Sequence, residues 1–186
     1  MSNGWQQFSQ RIMTAITALK QTQEARAYAA GANTLAAVQN RIVGSGRDGS
    51  GNKFPQYSDK EVPKHFYYGR SRSGQGERRV RSLRSKTLSY RQFRQLNNLQ
   101  TAHVDLYFTG QMWRGTEARI VSAAPGRIVV RLQGRTQEAA QKIEWNSIRY
   151  GGPVLAPTKK ERDAVNRIYR SAIIAQLKKS LTPKPQ

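Results

Sequence analysis

Hydrophobic residues in the first part of the chain recur three and four positions apart, the spacing of an α-helix with an apolar face. They form two seams. The first is Trp5, Phe8, Ile12, Ala15 and Leu19, and the second is Tyr28, Gly31, Leu35, Val38 and Ile42. The nine residues from Leu19 to Tyr28 turn the second seam to the opposite face, at about 100° per residue. The pattern predicts helix over residues 4–43, either as one long helix or as two that break near Gly31.

A seam that changes face has two interpretations, and both are open from the sequence. The apolar residues pack within the chain's own core, or they contact other copies of the chain in an oligomer. The second interpretation predicts an oligomer interface formed by Trp5, Phe8, Ile12, Leu19, Leu35 and Val38.

Glycines end this helix, and residues 44–60 read as a turn and loop. Asp48, Ser50 and Asn52 alternate as in a calcium-binding loop. The twelfth position, counted from Asp48, is Asp59 instead of the chelating Glu, and Gly51 is out of place. The sequence therefore favours a plain turn here.

The Gly- and Ser-rich residues 69–76 look like a loop that binds phosphate. No Gly-Lys-Ser/Thr triplet is present and no strand precedes the loop, so the nucleotide interpretation fails. Leucines and a phenylalanine recur loosely after it, and we expect one helix over residues 77–100.

Residues that alternate between two faces predict a β-hairpin over 116–133, after a short turn or helix at 109–115 that Thr109 caps. Pro125 and Gly126 occupy the central positions of a type II turn. A helix is predicted over 135–148. The last helix, at 158–181, begins with a Thr-Lys-Lys-Glu capping box, and its apolar stripe indicates packing on the hairpin more than contact with a membrane surface.

Three segments follow from these elements. Residues 1–43 form an N-terminal helical region, residues 44–104 a Gly/Ser/Arg-rich loop and basic arm, and residues 105–186 an α+β core with a C-terminal helix. The predicted fold class is α+β, with a small antiparallel β-sheet packed with helices, a long N-terminal helix and a basic extended arm.

Positive charge is concentrated in one of these segments. The 186 residues include 32 Lys and Arg against 11 Asp and Glu, a formal net charge of +21. Ten of the basic residues lie between Lys64 and Arg94, with Glu77 as the one acid. Such a segment attracts polyanions. It is either a solvated arm that orders inside an assembly or a direct contact to DNA or an anionic surface, formed by Arg78, Arg79, Arg81, Arg84 and Lys86.

The residues needed for catalysis are scarce. The chain has no cysteine and two histidines, and its acids are scattered. These counts argue against an enzyme, a metal site, a cofactor or a small-molecule substrate. The longest apolar runs are far shorter than the roughly 18 residues that span a membrane, and no secretory signal is evident, so we expect neither membrane insertion nor export.

Two stretches resemble a known family. Residues 41–58 contain Gly-Arg-Asp-Gly-Ser-Gly-Asn-Lys-Phe-Pro-Gln-Tyr-Ser after a helix, and residues 105–113 read Asp-Leu-Tyr-Phe-Thr-Gly-Gln-Met-Trp. Both are similar to segments of tailed-bacteriophage neck and tail-completion proteins, as is the later order of hairpin, helix and capped helix. The resemblance implies a non-enzymatic α+β subunit of the virion. It implies a homo-oligomeric ring at the head–tail junction that contacts portal or adaptor proteins, tail proteins and packaged DNA.

One segment departs from that family, and it supports a different hypothesis. The basic insertion at 64–100 is longer and more charged than its usual counterpart. Its arginines are interleaved with Tyr67, Tyr68, Tyr90 and Phe93, which is typical of a nonspecific nucleic-acid-binding protein. No helix-turn-helix, zinc-finger or RNP motif accompanies them. A nucleic-acid-binding protein is therefore the alternative to a connector subunit.

Overall fold

A computed structural model of the chain describes residues 3–107, 109–124 and 127–182. Its helices are α1 (Asn3–Ser45), α2 (Gly74–Ser82), α3 (Tyr90–Leu96), α4 (Gln111–Arg114), α5 (Gln137–Arg149) and α6 (Lys159–Leu181), with a 3-10 helix at Lys64–Tyr67. Its strands are β1 (Glu61–Pro63), β2 (Thr87–Ser89), β3 (Thr116–Ala124) and β4 (Arg127–Gly134). β1 pairs with β2 and β3 with β4, in two antiparallel two-stranded sheets. The predicted α+β class and the long N-terminal helix are confirmed.

The chain divides into two compact units, each built from separate stretches of sequence. The first contains the described residues of 1–37, 117–133 and 157–186, and the second contains those of 38–116 and 134–156. The N-terminal part of α1, the hairpin β3–β4 and α6 thus form one unit. The short elements from β1 to α4, together with α5, form the other.

The first helix is continuous, which decides between the two sequence alternatives. α1 runs from Asn3 to Ser45 without a break at Gly31. The hairpin of the same unit approaches the helix closely at that glycine. A Cβ placed on Gly31 would lie 2.6 Å from Val130 Cγ1 and 2.8 Å from the Ala118 Cβ. The glycine therefore gives the hairpin room instead of ending the helix.

The basic segment is folded, whereas the sequence predicted an extended arm. Val80, Leu88 and Phe93 are buried together, and Tyr67 packs against them among other partly buried residues. The prediction of a single helix over 77–100 is wrong, because α2 and α3 lie there with β2 between them. β2 pairs with β1 in the register Glu61↔Ser89, Val62↔Leu88 and Pro63↔Thr87.

Local capping explains why a new helix starts after β2. The Ser89 hydroxyl accepts a hydrogen bond from the Gln92 amide, and the Gln92 side chain accepts one from the Ser89 amide. This capping box satisfies two amide groups that the first turn of α3 leaves unpaired. The preceding helix, α2, ends at Ser82, because the next residue, the C-cap Leu83, has an extended backbone.

The C-terminal elements lie close to their predicted positions. β3 and β4 confirm the hairpin, and its predicted turn at Pro125 and Gly126 lies outside the described residues. α5 and α6 begin and end within two residues of the predicted bounds. The capping box of α6 is formed, with the Glu161 amide donating to Thr158 Oγ1 at 3.1 Å and the Thr158 amide donating to Glu161 Oε2 at 2.7 Å.

The loop after α1 is a turn, as predicted. The Asp48 Oδ1 atom accepts hydrogen bonds from the backbone amides of Ser50 and Asn52, at 2.9 and 2.8 Å. The carboxylate thus stabilises its own loop. Throughout the residues described, no cluster of three or more His, Asp or Glu is placed to hold a metal ion. None of the described helices is long and apolar enough to span a membrane.

Candidate interaction surfaces

A buried ion pair organises the second unit. Arg94 Nη2 lies 3.0 Å from both oxygens of Asp105, and the side chains of the two residues are 1% and 6% exposed. The hydroxyl of Tyr57 donates to Asp105 Oδ1 at 2.7 Å, and the Arg94 guanidinium lies 4.2 Å from the centre of the Tyr57 ring. The backbone amide of Tyr107 donates to the same carboxylate oxygen at 2.9 Å. The charge of Asp105 is therefore fully compensated.

The same ion pair site changes the acidity of Tyr57. Burial of the phenol raises its pKa well above the usual value, and the hydrogen bond to Asp105 raises it further. The phenol therefore stays protonated near neutral pH, so it is neither available as a general base nor effective as a general acid. The carboxylate of Asp105 is likewise already hydrogen-bonded to Arg94, Tyr57 and Tyr107. We therefore interpret the site as structural.

Sequence reasoning did not predict this site, although a signal for it was present. Tyr57 belongs to the first of the two family-like stretches, and Asp105 belongs to the second. The two stretches are 48 positions apart at these residues, yet they are joined by the 2.7 Å hydrogen bond. Close to this contact, Gly46 of the first stretch lies against Val104, the residue just before the second stretch, since a Cβ on this glycine would be 2.8 Å from the Val104 oxygen. Two short motifs that recur together in a family are candidates for such a contact.

The first unit leaves much of its apolar surface exposed. Trp5 is 77% exposed and Phe8 is 50% exposed, and their rings contact each other edge to face at 6.1 Å between centroids. Further large apolar side chains are exposed on three of its elements, α1, β3 and α6. They are Met13, Ile16, Tyr28, Val121, Ile168, Ile174 and Leu181.

The predicted oligomer residues fall into three groups. Trp5 and Phe8 are exposed, and the side chains of Ile12, Leu19 and Leu35 are half-buried. Val38 is completely buried within its own chain, so no part of it is available to a neighbouring subunit. Core packing, the other interpretation of the seam, thus applies at Val38, while Trp5 and Phe8 at the N-terminal end of the seam remain exposed.

A groove of about 640 Å³ lies within the first unit. Ala27 of α1, Val130 of β4 and Tyr169 of α6 line it, together with other mostly apolar residues of the same three elements. α6 therefore faces α1 and β4 across this groove, and none of its residues is fully buried, so its packing on the hairpin stays a prediction.

The predicted basic cluster lies on and beside α2. Val80 is fully buried, and at about 100° per residue the neighbouring Arg78, Arg79 and Arg81 project away from the core. Arg84 and Lys86 follow in the turn between α2 and β2. The side chains of all five cluster residues are exposed. The positive charge at this surface is therefore presented to solvent.

The members of the cluster differ in their internal contacts. Arg81 Nε pairs with Glu77 at 2.8 Å, and its guanidinium covers the ring of Tyr68 at 4.6 Å. Arg79 Nη1 donates to the Leu96 carbonyl at 3.1 Å and to Asn98 Oδ1 at 2.7 Å. The side chains of the remaining three make no hydrogen bond or ion pair with any described residue. They are Arg78, Arg84 and Lys86.

The aromatic residues interleaved with these arginines are used inside the unit. Tyr67 stacks on Phe93 with centroids 4.4 Å apart, and Phe93 is buried. Tyr90 packs against the ring of Tyr57. Between residues 61 and 96, Phe66 is the one large apolar side chain that is exposed. The interleaved pattern therefore encodes a small core and not a platform for stacking bases.

Comparisons of the chain with protein-family models, with curated proteins and with solved structures found no match.

Proposed function

We propose that this protein is a structural subunit of a tailed-phage virion. It self-associates into a ring at the head–tail junction and links the portal or an adaptor protein to the tail. The observation that carries this proposal is the exposed apolar surface of the first unit, above all Trp5 and Phe8.

Exposure of this kind is costly for a protein that acts alone. Water is a poor environment for large apolar groups, and monomeric proteins rarely expose extended apolar patches. A ring subunit needs two different flanks, one for each neighbour, because its contacts are head-to-tail. An apolar groove and a separate apolar helix end in the same unit supply two surfaces of that kind.

The family resemblance supports the same proposal. Its two motif stretches form one hydrogen-bonded site through Tyr57 and Asp105. Residues that contact each other in the fold have a physical reason to occur together, which short matches in unrelated positions would lack. No enzymatic step is part of this proposal.

Light scattering after size exclusion tests the self-association. The perturbed variant is Trp5→Ser with Phe8→Ser, and both side chains are exposed, so the fold should survive. The matched control is Gln6→Ser with Gln7→Ser, which changes exposed polar side chains on the same turns. Full burial of such an aromatic contributes about 1.5–3 kcal/mol. Scaled by the exposed fractions, the pair contributes about 2–4 kcal/mol, and its loss weakens association about 30- to 700-fold.

We expect oligomers in the wild type and the control, and a shift to monomer in the perturbed variant with unchanged circular dichroism. A wild type that is monomeric at every concentration would overturn the self-association. The virion location is tested separately, with antibodies to the chain on purified phage particles. Labelling at the head–tail junction is expected, and label absent from particles would contradict the proposal.

A further inference from the structure

We propose that the exposed cations of the second unit bind the phosphate backbone of duplex DNA, without reading its base sequence. The site is α2 with its flanking turns, and it includes Arg78, Arg84 and Lys86. This binding does not depend on the connector role proposed above, because it uses a different unit of the chain from Trp5, Phe8 and the groove on which that proposal rests.

Most of the charge in this segment has no partner of opposite sign. Of its ten basic residues, three form ion pairs within the described part of the chain. Arg94 pairs with Asp105, Arg91 with Asp59 and Arg81 with Glu77. The remaining seven of ten, all between residues 64 and 86, meet no carboxylate in that part. So dense a positive charge attracts polyanions, and it is screened only over about 8–10 Å at physiological salt.

The surface around these cations is unlike one that binds protein. Protein interfaces have an apolar, aromatic-rich centre, whereas DNA interfaces are polar and strongly positive. Val80, Leu88 and Phe93 turn into the core of this segment, and Phe66 is the one large apolar side chain left outside between residues 61 and 96. An acidic protein would therefore find charge here but only a single exposed large apolar side chain, Phe66, between residues 61 and 96.

The contacts of the aromatic side chains favour duplex over single-stranded nucleic acid. Proteins that hold single strands stack the bases on several exposed rings. Here Tyr67 stacks on Phe93, and Arg81 covers Tyr68.

α2 has nine residues and is therefore about 13 Å long. Duplex DNA carries one charge per about 1.7 Å of axis, so about eight phosphate charges lie along that length.

Fluorescence anisotropy with two short duplexes of unrelated sequence tests the proposal on the full-length protein. The test variant is R78Q/R84Q/K86Q, chosen because these exposed side chains make no hydrogen bond or ion pair with any described residue. The control is K160Q/R167Q/R170Q, which removes three exposed cations from α6. Both variants lower the formal charge from +21 to +18, since 21 − 3 = 18. A third variant, R78K/R84K, keeps the charge of the site.

We expect the wild type to bind both duplexes equally, with an affinity that falls steeply as salt rises. Each phosphate contact contributes about −0.9 to the slope of log K against log salt, so losing three contacts reduces the slope by about 2.7. Between 50 and 200 mM salt the wild type then loses about 40-fold more affinity than the test variant. The α6 control and R78K/R84K should keep the wild-type slope.

Equal slopes in the wild type and the test variant would overturn the proposal, as would an equal loss in the α6 control. Poly-glutamate is the second probe. A saturable complex with it, in a protein that does not bind either duplex, would show that an acidic protein is the partner and would also overturn the proposal. Light scattering on every variant separates this result from the connector role, because the cation changes should leave self-association unchanged.

Discussion

Asp105 is the residue whose removal tests the interior of the second unit most directly. Asp105→Asn keeps the shape of the side chain, so it leaves no cavity. It removes the negative charge that faces the Arg94 guanidinium at 3.0 Å, and it can turn an amide donor toward that guanidinium. Arg94 would then be a buried cation without a counter-charge.

The structure sets the size of the expected effect. Removing one partner from a buried ion pair costs about 3–5 kcal/mol, because the other charge remains desolvated. The 1% and 6% exposure of these side chains places the pair in that range. With a urea dependence of about 2 kcal/mol per M, the midpoint of unfolding should fall by about 1.5–2.5 M. Urea titration followed by circular dichroism measures this shift.

The chain contains a matched control, the ion pair of Arg91 with Asp59. Its atoms are 3.2 Å apart, but the side chains are 28% and 64% exposed. Exposed pairs contribute about 0–1 kcal/mol, so Asp59→Asn should move the midpoint by less than about 0.5 M. Equal shifts for the two variants would refute the reasoning that burial makes Asp105 important.

A double replacement adds a second test of the same site. Arg94→Met with Asp105→Leu removes both charges and leaves apolar side chains in their place. We expect this variant to be more stable than Asp105→Asn alone, because neither charge is then left unpaired. A double variant that is the less stable of the two would show that the hydrogen bonds around the pair matter more than the charges.

Two further predictions concern backbone conformation and pH. Gly46 has φ of +61°, a conformation in which a side chain costs about 1–2 kcal/mol, and a new Cβ would lie 2.8 Å from the Val104 oxygen. Gly46→Ala should therefore lower the free energy of unfolding, measured by urea titration, by at least about 2 kcal/mol. Gly44→Ala, with no atom within 4 Å, should instead raise it by up to about 1 kcal/mol, and similar losses in both would contradict this account. Burial raises the pKa of Tyr57 in the folded state, so its contribution to stability is present below about pH 10 and is lost as pH rises above that value. Wild-type stability should therefore fall more steeply above pH 10 than that of Tyr57→Phe, and parallel pH profiles would contradict this.

Local signals in the sequence were sufficient for the regular elements. The spacing of Trp5 and Phe8 predicted the first helix, and the capping box at Thr158 predicted the start of α6. Alternation of apolar residues predicted the hairpin. These signals act between residues that are close in the chain, so they can be interpreted without knowing the rest of the fold.

Pairing between distant residues accounts for the main errors. The helix expected over 77–100 is interrupted because Leu88 pairs with Val62, 26 positions earlier, in a sheet. The predicted arm has its own core for the same reason, since Tyr67 stacks on Phe93 across that distance. A loosely periodic stretch can form its backbone hydrogen bonds either as a helix or as a strand in a sheet. Tertiary contacts determine which of the two structures forms.

The sequence by itself determined the charge, the helical seams, the caps and the scarcity of catalytic groups. Only the tertiary structure distinguished Arg94 from Arg78, two arginines of the same basic run. Arg94 is buried because Asp105 and Tyr57 meet it from distant parts of the chain, whereas Arg78 projects from α2 on the side away from Val80. The desolvation of a charge depends on all the groups that surround it in space, and composition and spacing along the chain do not contain that information.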